Sequence, residues 1–206
     1  FRLILPNSRS RFLTPASWVY SRMILRNAAE ENLIGVFSSP CCFSCLATTS
    51  ERYSFVPVWR PPFVSALAAE DRCHLNGLAM DQGVPRFVTA LAATDETEGW
   101  RAHRQRGGVV IDVASGETVV GGLSMPHSPR VHDGRLWLHE SGTGYFGTVD
   151  LASGRFERVT FCPGYLRGLS FIGSFAVVGL SLPRDSDTFS GLALDDTLSK
   201  AGVHAV

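Results

Sequence analysis

The sequence predicts an all-β fold, and three observations carry that prediction. From residue 33 onward, short apolar runs rich in β-branched and aromatic residues follow one another, separated by turns such as "DQGVP", "ASGE", "HDGR" and "LASGR". Beyond residue 33 no amphipathic segment of helix length is expected. The strand-and-turn plan then recurs at intervals of several tens of residues.

Taken in order, "LIGVF", "FSCLATT" and "YSFVPVW" read as three strands before residue 60. "RPPF" is a stiff connection, because Pro61 and Pro62 cannot donate to a ladder. "VSALAAE" suits one helical turn or a loop. "HLNGLAM" and "RFVTALA" form a strand pair, and a long polar loop, "ATDETEGWRAHRQRGG", leads to the hairpin "VVIDV"/"TVVGGL". The plan repeats through "HSPRV", "LWLHE", "YFGTVD" and "FERVTF". It opens a third time with "LRGLSFI" and "FAVVGLS".

Aligned on their opening residues, His74-Leu75-Asn76-Gly77, His127-Ser128-Pro129-Arg130 and Leu166-Arg167-Gly168-Leu169 each start an inner strand. The first interval is 53 residues and the second about 40, within the range expected of four-stranded propeller blades. The expected architecture is therefore an incomplete, truncated β-propeller-like array of antiparallel four-stranded blades. Blades are expected at about 74–123 and 127–161, with most of a third from 166 and parts of one before 60. Since closed propellers use four to eight blades, the array reads as cut at one or both ends. "AGVHAV" at 201–206 reads as a strand stopped in mid-course.

The domain expected is 33–206, preceded by a leader, 1–32, of separate character. The chain opens on Phe1, and its first 29 residues hold Arg2, Arg9, Arg11, Arg22 and Arg26 without an acid. That composition suits a targeting segment or, the reading preferred, an uninformative leader on a gene fragment.

Formal net charge is zero, which removes the global electrostatic case for nucleic acid or an anionic membrane surface. No apolar run is long enough for a transmembrane helix. The five cysteines, Cys41, Cys42, Cys45, Cys73 and Cys162, do not form two paired zinc-type spacings. They read as reduced thiols in or near a core, which fits a cytoplasmic protein.

From about residue 43 to its end, the chain resembles an uncharacterised bacterial family of conserved hypothetical proteins, a domain of unknown function. The stretches that carry the resemblance include "FSCLATTSERYSF", "WRPPF", "AAEDRCHLNGLAM", "GLSMPHSPR", "DGRLWLHESGTG" and "FCPGYLRGL". The resemblance implies a propeller-like fold and a longer complete protein, and it assigns no activity.

The candidate chemistry gathers where inner strands begin. His74 and His127 are candidate general bases. With Asn76, Glu70 and Asp71 they also form a candidate set for a divalent metal cation, to which Glu140 would add an oxygen. The competing reading is that each histidine only caps a strand. Arg72, Asn76, Arg130, Arg167 and Arg184 are candidate ligand-binding residues, since guanidinium forks suit carboxylate or phosphate. Equally, these arginines would tie blades together through ion pairs. "ESGTG" at 140–144 suits either an anion cradle or a tight inter-strand loop, and Trp100 either a lid or a packing anchor. No G-x-S-x-G elbow supports a serine hydrolase.

Two functional readings result. In the first, a His/Arg-lined channel mouth binds or acts on a small anionic molecule. In the second, a non-catalytic propeller recognises a protein or peptide.

Overall fold

A computed structural model describes residues 22–26, 33–37, 43–48, 50–53, 55–181 and 188–200. Among them the fold is nearly all-β, with four antiparallel sheets and one short α-helix. Arg184, Cys41, Cys42 and "AGVHAV" lie outside the described residues.

Each sheet is a meander whose strands pair in chain order, as short hairpin connections favour. The first holds β1 (Arg22–Arg26), β2 (Leu33–Phe37), β3 (Leu46–Thr48) and β4 (Val56–Trp59). The segment expected as a leader thus contributes β1, which pairs with β2 along its full length. The second sheet holds β5 (Leu75–Asp81), β6 (Val84–Ala90), β7 (Gly108–Asp112) and β8 (Thr118–Leu123). The third holds β9 (Pro126–His132), β10 (Arg135–Glu140), β11 (Tyr145–Asp150) and β12 (Arg155–Phe161). The fourth is the pair β13 (Tyr165–Ile172) and β14 (Phe175–Ser181).

Successive sheets pack face to face in chain order, because each strand has two sides to bury. Leu46 of the first sheet joins Leu75, Leu78, Val88 and Ile111 of the second. The opposite face of the second sheet, with Ala79, Phe87 and Val110, meets Leu136, Leu138 and Val149 of the third. Phe146 of the third meets Leu166 and Leu169 of the fourth. The leading strands lie side by side, β5 against β9 and β9 against β13. The first of these approaches needs Gly77, where a Cβ would overlap both Pro129 and Thr89.

The helix corrects the expectation of none. Residues Ala193–Lys200 form α1, too short to give a long periodic signal. Leu194 and Leu198, four residues apart, bury together against Leu91, Trp100, Met125 and Tyr165. Asp195 and Asp196 in the first turn and Lys200 in the last complement the helix dipole. No helix among the described residues is long and apolar enough to cross a membrane.

Candidate functional site

The loop ahead of β5 is built around Asp71. Asp71 and His74 both adopt left-handed backbone conformations, with φ of 49° and 50°. The fold between them is tight enough for His74 Nδ1 to lie 2.8 Å from Asp71 Oδ2. Trp100 Nε1 donates to the same oxygen at 3.0 Å. Asp71 is buried, whereas the His74 side chain keeps 26% of its exposure. The Trp100 ring packs on the imidazole, with centroids 4.5 Å apart, and Arg101 lies over the indole. Trp100 itself is buried in a 3-10 turn of the long polar loop, so it anchors that loop. The Glu98 amide, donating to the Glu70 carbonyl at 3.0 Å, fastens the same loop a second time.

A second group forms where β9, β10 and β13 meet. His127 on β9 pairs in register with His139 on β10. His139 is fully buried, and neither of its ring nitrogens has a hydrogen-bond partner among the described residues. Burial, followed by the charges of Arg167 and Arg130, lowers its pKa to about 4. His127 is pushed well below the usual histidine range, first by burial, then by Arg167, His139, His74 and Arg130. Its Nδ1 lies 2.8 Å from Ser128 Oγ. Both imidazoles are therefore neutral at pH 7, in a positive field. Arg130 donates to the carbonyls of Leu78 and Pro129, and Arg167 to Ser141 Oγ and the Leu166 carbonyl.

His74, His127, Arg130 and Arg167 thus belong to one electrostatic neighbourhood, but not at equivalent positions. Leu75, His127 and Arg167 face Ala90, His139 and Gly179, each next to a register shift. His127 is therefore level with Leu75, and His74 falls one residue earlier. A one-residue slip matters because it moves a side chain to the other face of a strand.

The remaining candidates are held by protein partners. Asn76 donates to the Pro126 carbonyl at 3.0 Å and accepts from Thr89 Oγ1 at 2.7 Å, so this buried amide ties β5 and β6 to β9. Arg72 donates to Glu70 (2.8 Å), Ser65 (2.9 Å) and Asp95 (2.7 Å). Arg72 thus takes part in an ion-pair network with Glu70 and Asp95. Glu140 accepts from the Ser124 amide, the Thr143 hydroxyl and Arg158. Of the expected cation set of Glu70, Asp71, His74, Asn76 and His127, Asp71 and His74 contact each other, while Glu70 pairs with Arg72, Asn76 with Thr89 and the Pro126 carbonyl, and His127 with Ser128. Among the described residues no group of three or more His, Cys, Asp or Glu side chains is placed to hold a metal ion.

"ESGTG" is a tight inter-strand loop. The amides of Ser141, Gly142, Thr143 and Gly144 donate to carbonyls of Met125, Ser124, Glu140 and Glu140, so they make no anion cradle. Cys45, Cys73 and Cys162 are free thiols; burial raises Cys45 to about 11 and Cys73 to about 12. Two participants escaped the sequence reading, Trp100 as a hydrogen-bond donor to Asp71 and His139 as the partner of His127. The strand pattern of "LWLHE" carried the only trace of the second.

The profile of a domain of unknown function, DUF4915, matches residues 11–206. The chain belongs to the DUF4915 family. The match begins inside the segment expected as a leader and well before residue 43, in keeping with β1 completing the first DUF4915 sheet. No curated protein matches the chain. Among solved structures, the computationally designed Ika8 protein is similar at 10% identity and a TM-score of 0.41. That similarity covers 76% of this chain and 42% of the designed one, and is too slight to bear on architecture.

Proposed function

We propose that this DUF4915 chain forms a propeller-like array whose rim, at His127, His139, Arg130 and Arg167, binds a small anionic molecule. The array is supported by the chain-ordered meanders and by β5, β9 and β13 lying side by side. One observation carries the ligand: among the described residues His139 has two ring nitrogens without a hydrogen-bond partner at zero exposure, in the field of two arginines. A buried polar group without a partner is costly, and native proteins rarely leave one so. A neutral imidazole donates through one nitrogen, and an anion reaching the rim would accept that bond in the positive field of the two guanidiniums. The buried free thiols suit a reducing compartment such as the cytoplasm. Titration calorimetry with inorganic phosphate tests the reading. Saturable binding that weakens tenfold or more in Arg167→Gln, about 1.4 kcal/mol, supports it. Equal binding by both proteins, or none by either, defeats it.

The second reading, a non-catalytic module for a protein or peptide, is favoured by the apolar face of β13 and β14. Ile172, Phe175 and Val177 are exposed there, Phe175 by 73%. Such a patch marks an interaction surface. This reading predicts that association, followed as hydrodynamic size, is lost in Phe175→Ser and kept in Arg167→Gln.

A further inference from the structure

Asp71 Oδ2 lies 2.8 Å from His74 Nδ1 and accepts from Trp100 Nε1 at 3.0 Å. A carboxylate in that position favours the proton on Nδ1 of the neutral imidazole. Nε2 is then the unprotonated nitrogen. It has no hydrogen-bond partner among the described residues, and it belongs to a ring that is 26% exposed while its carboxylate is 2% exposed. A buried orienting carboxylate, a partly exposed imidazole and an indole fixing both are the parts of an oriented base.

We propose that His74 is a proton acceptor through Nε2, with Asp71 and Trp100 as positioning residues. In the step, a hydroxyl O–H bond breaks, its electron pair stays on oxygen, and its proton forms the Nε2–H bond. The resulting imidazolium is stabilised by the Asp71 carboxylate beside Nδ1–H. His74 immediately precedes β5, which lies beside β9, one residue ahead of the level of His127, and this sets the base next to the rim. The substrate class is accordingly a hydroxyl-bearing anion, and this last part alone rests on the anion reading above.

The tautomer is read directly by nitrogen-15 NMR of the intact protein at about pH 8. The wild type is expected to hold His74 with Nδ1 protonated and Nε2 bare. In Asp71→Ala the proton should move to Nε2. A wild-type His74 with its proton on Nε2 overturns the assignment, and needs no variant to fold. Acylation by diethyl pyrocarbonate gives the reactivity: His74 should react several-fold faster than His127 and His139, and several-fold slower in Asp71→Ala. Equal rates in folded wild type and variant would make Asp71 merely structural and overturn its positioning role. Inorganic phosphate should slow His74 acylation several-fold. Absence of that protection, with the Nδ1–H tautomer intact, overturns the substrate class and leaves the base standing.

Discussion

His127 and His139 face each other across β9 and β10, one with Nδ1 beside Ser128 Oγ, the other with both nitrogens buried and without a partner among the described residues. Neither ring is charged at neutral pH, because burial and the Arg167 guanidinium oppose a further positive charge. The pair lies within the third sheet, on neighbouring strands of which β9 also runs beside β5 and β13.

The first prediction concerns acid stability. His139 has a folded pKa of about 4 against about 6.5 for a free histidine. Between those values the unfolded chain binds a proton that the folded chain refuses, so stability falls as pH drops through the window. The full effect is on the order of 3 kcal/mol. His127, shifted in the same direction, adds to it. Thermal melts between about pH 7 and pH 4 should show this loss, and His139→Gln should flatten the profile. A profile as steep in the variant as in the wild type would assign the loss elsewhere.

The second concerns the loop network. Hydrogen bonds from Ser65, then Arg72, lower the Asp95 carboxyl to about 2. A depressed carboxylate contributes stability that is present above its unfolded pKa and lost as pH falls through the folded one. Asp95→Ala should therefore be less stable than wild type near pH 7, with the gap closing as pH falls from about 4 to about 2. A pH-independent gap in paired melts would contradict this origin.

The third concerns Asn76. Its amide joins Thr89 to the Pro126 carbonyl inside the protein. Asn76→Ala orphans both partners and should cost about 1–3 kcal/mol in denaturant unfolding. Phosphate affinity should stay unchanged. A stable variant with weakened phosphate binding would return Asn76 to the ligand.

The fourth concerns Gly77, where β5 meets Pro129 of β9. Gly77→Ala should destabilise by about 1–3 kcal/mol, as overpacking does, and chemical unfolding measures it. A neutral substitution would mean that the strands separate freely.

Much of the sheet plan was legible because strand period and turn chemistry are local. The turns at Gly83, Gly134 and Gly173 have φ of 83°, 70° and 56°, conformations that glycine adopts readily, and each lies within a hairpin read from sequence. Register was less legible. Counting out from the turn pair His132–Arg135 would set His127 opposite Glu140; a bulge at Ser128, with φ of 52°, moves the partner to His139. Nothing in "HSPRV" announces that extra residue. The Asp71–Trp100 bond, bridging 29 residues of chain, is a tertiary contact without a local pattern. The short α1 was missed for a related reason, since two leucines four apart become a buried face only against Trp100 and Tyr165.

An anion at the rim supplies the hydrogen-bond partner that His139 does not find among the described residues. Nitrogen-15 NMR of the imidazole nitrogens during a titration with inorganic phosphate tests it most directly. Saturable shifts are expected at His139 and His127, with a ring N–H of His139 moving to the position of a hydrogen-bonded donor and these changes lost in Arg167→Gln. Shifts confined to histidines away from the rim, such as His103 and His132, with His139 unmoved at saturation, would contradict it.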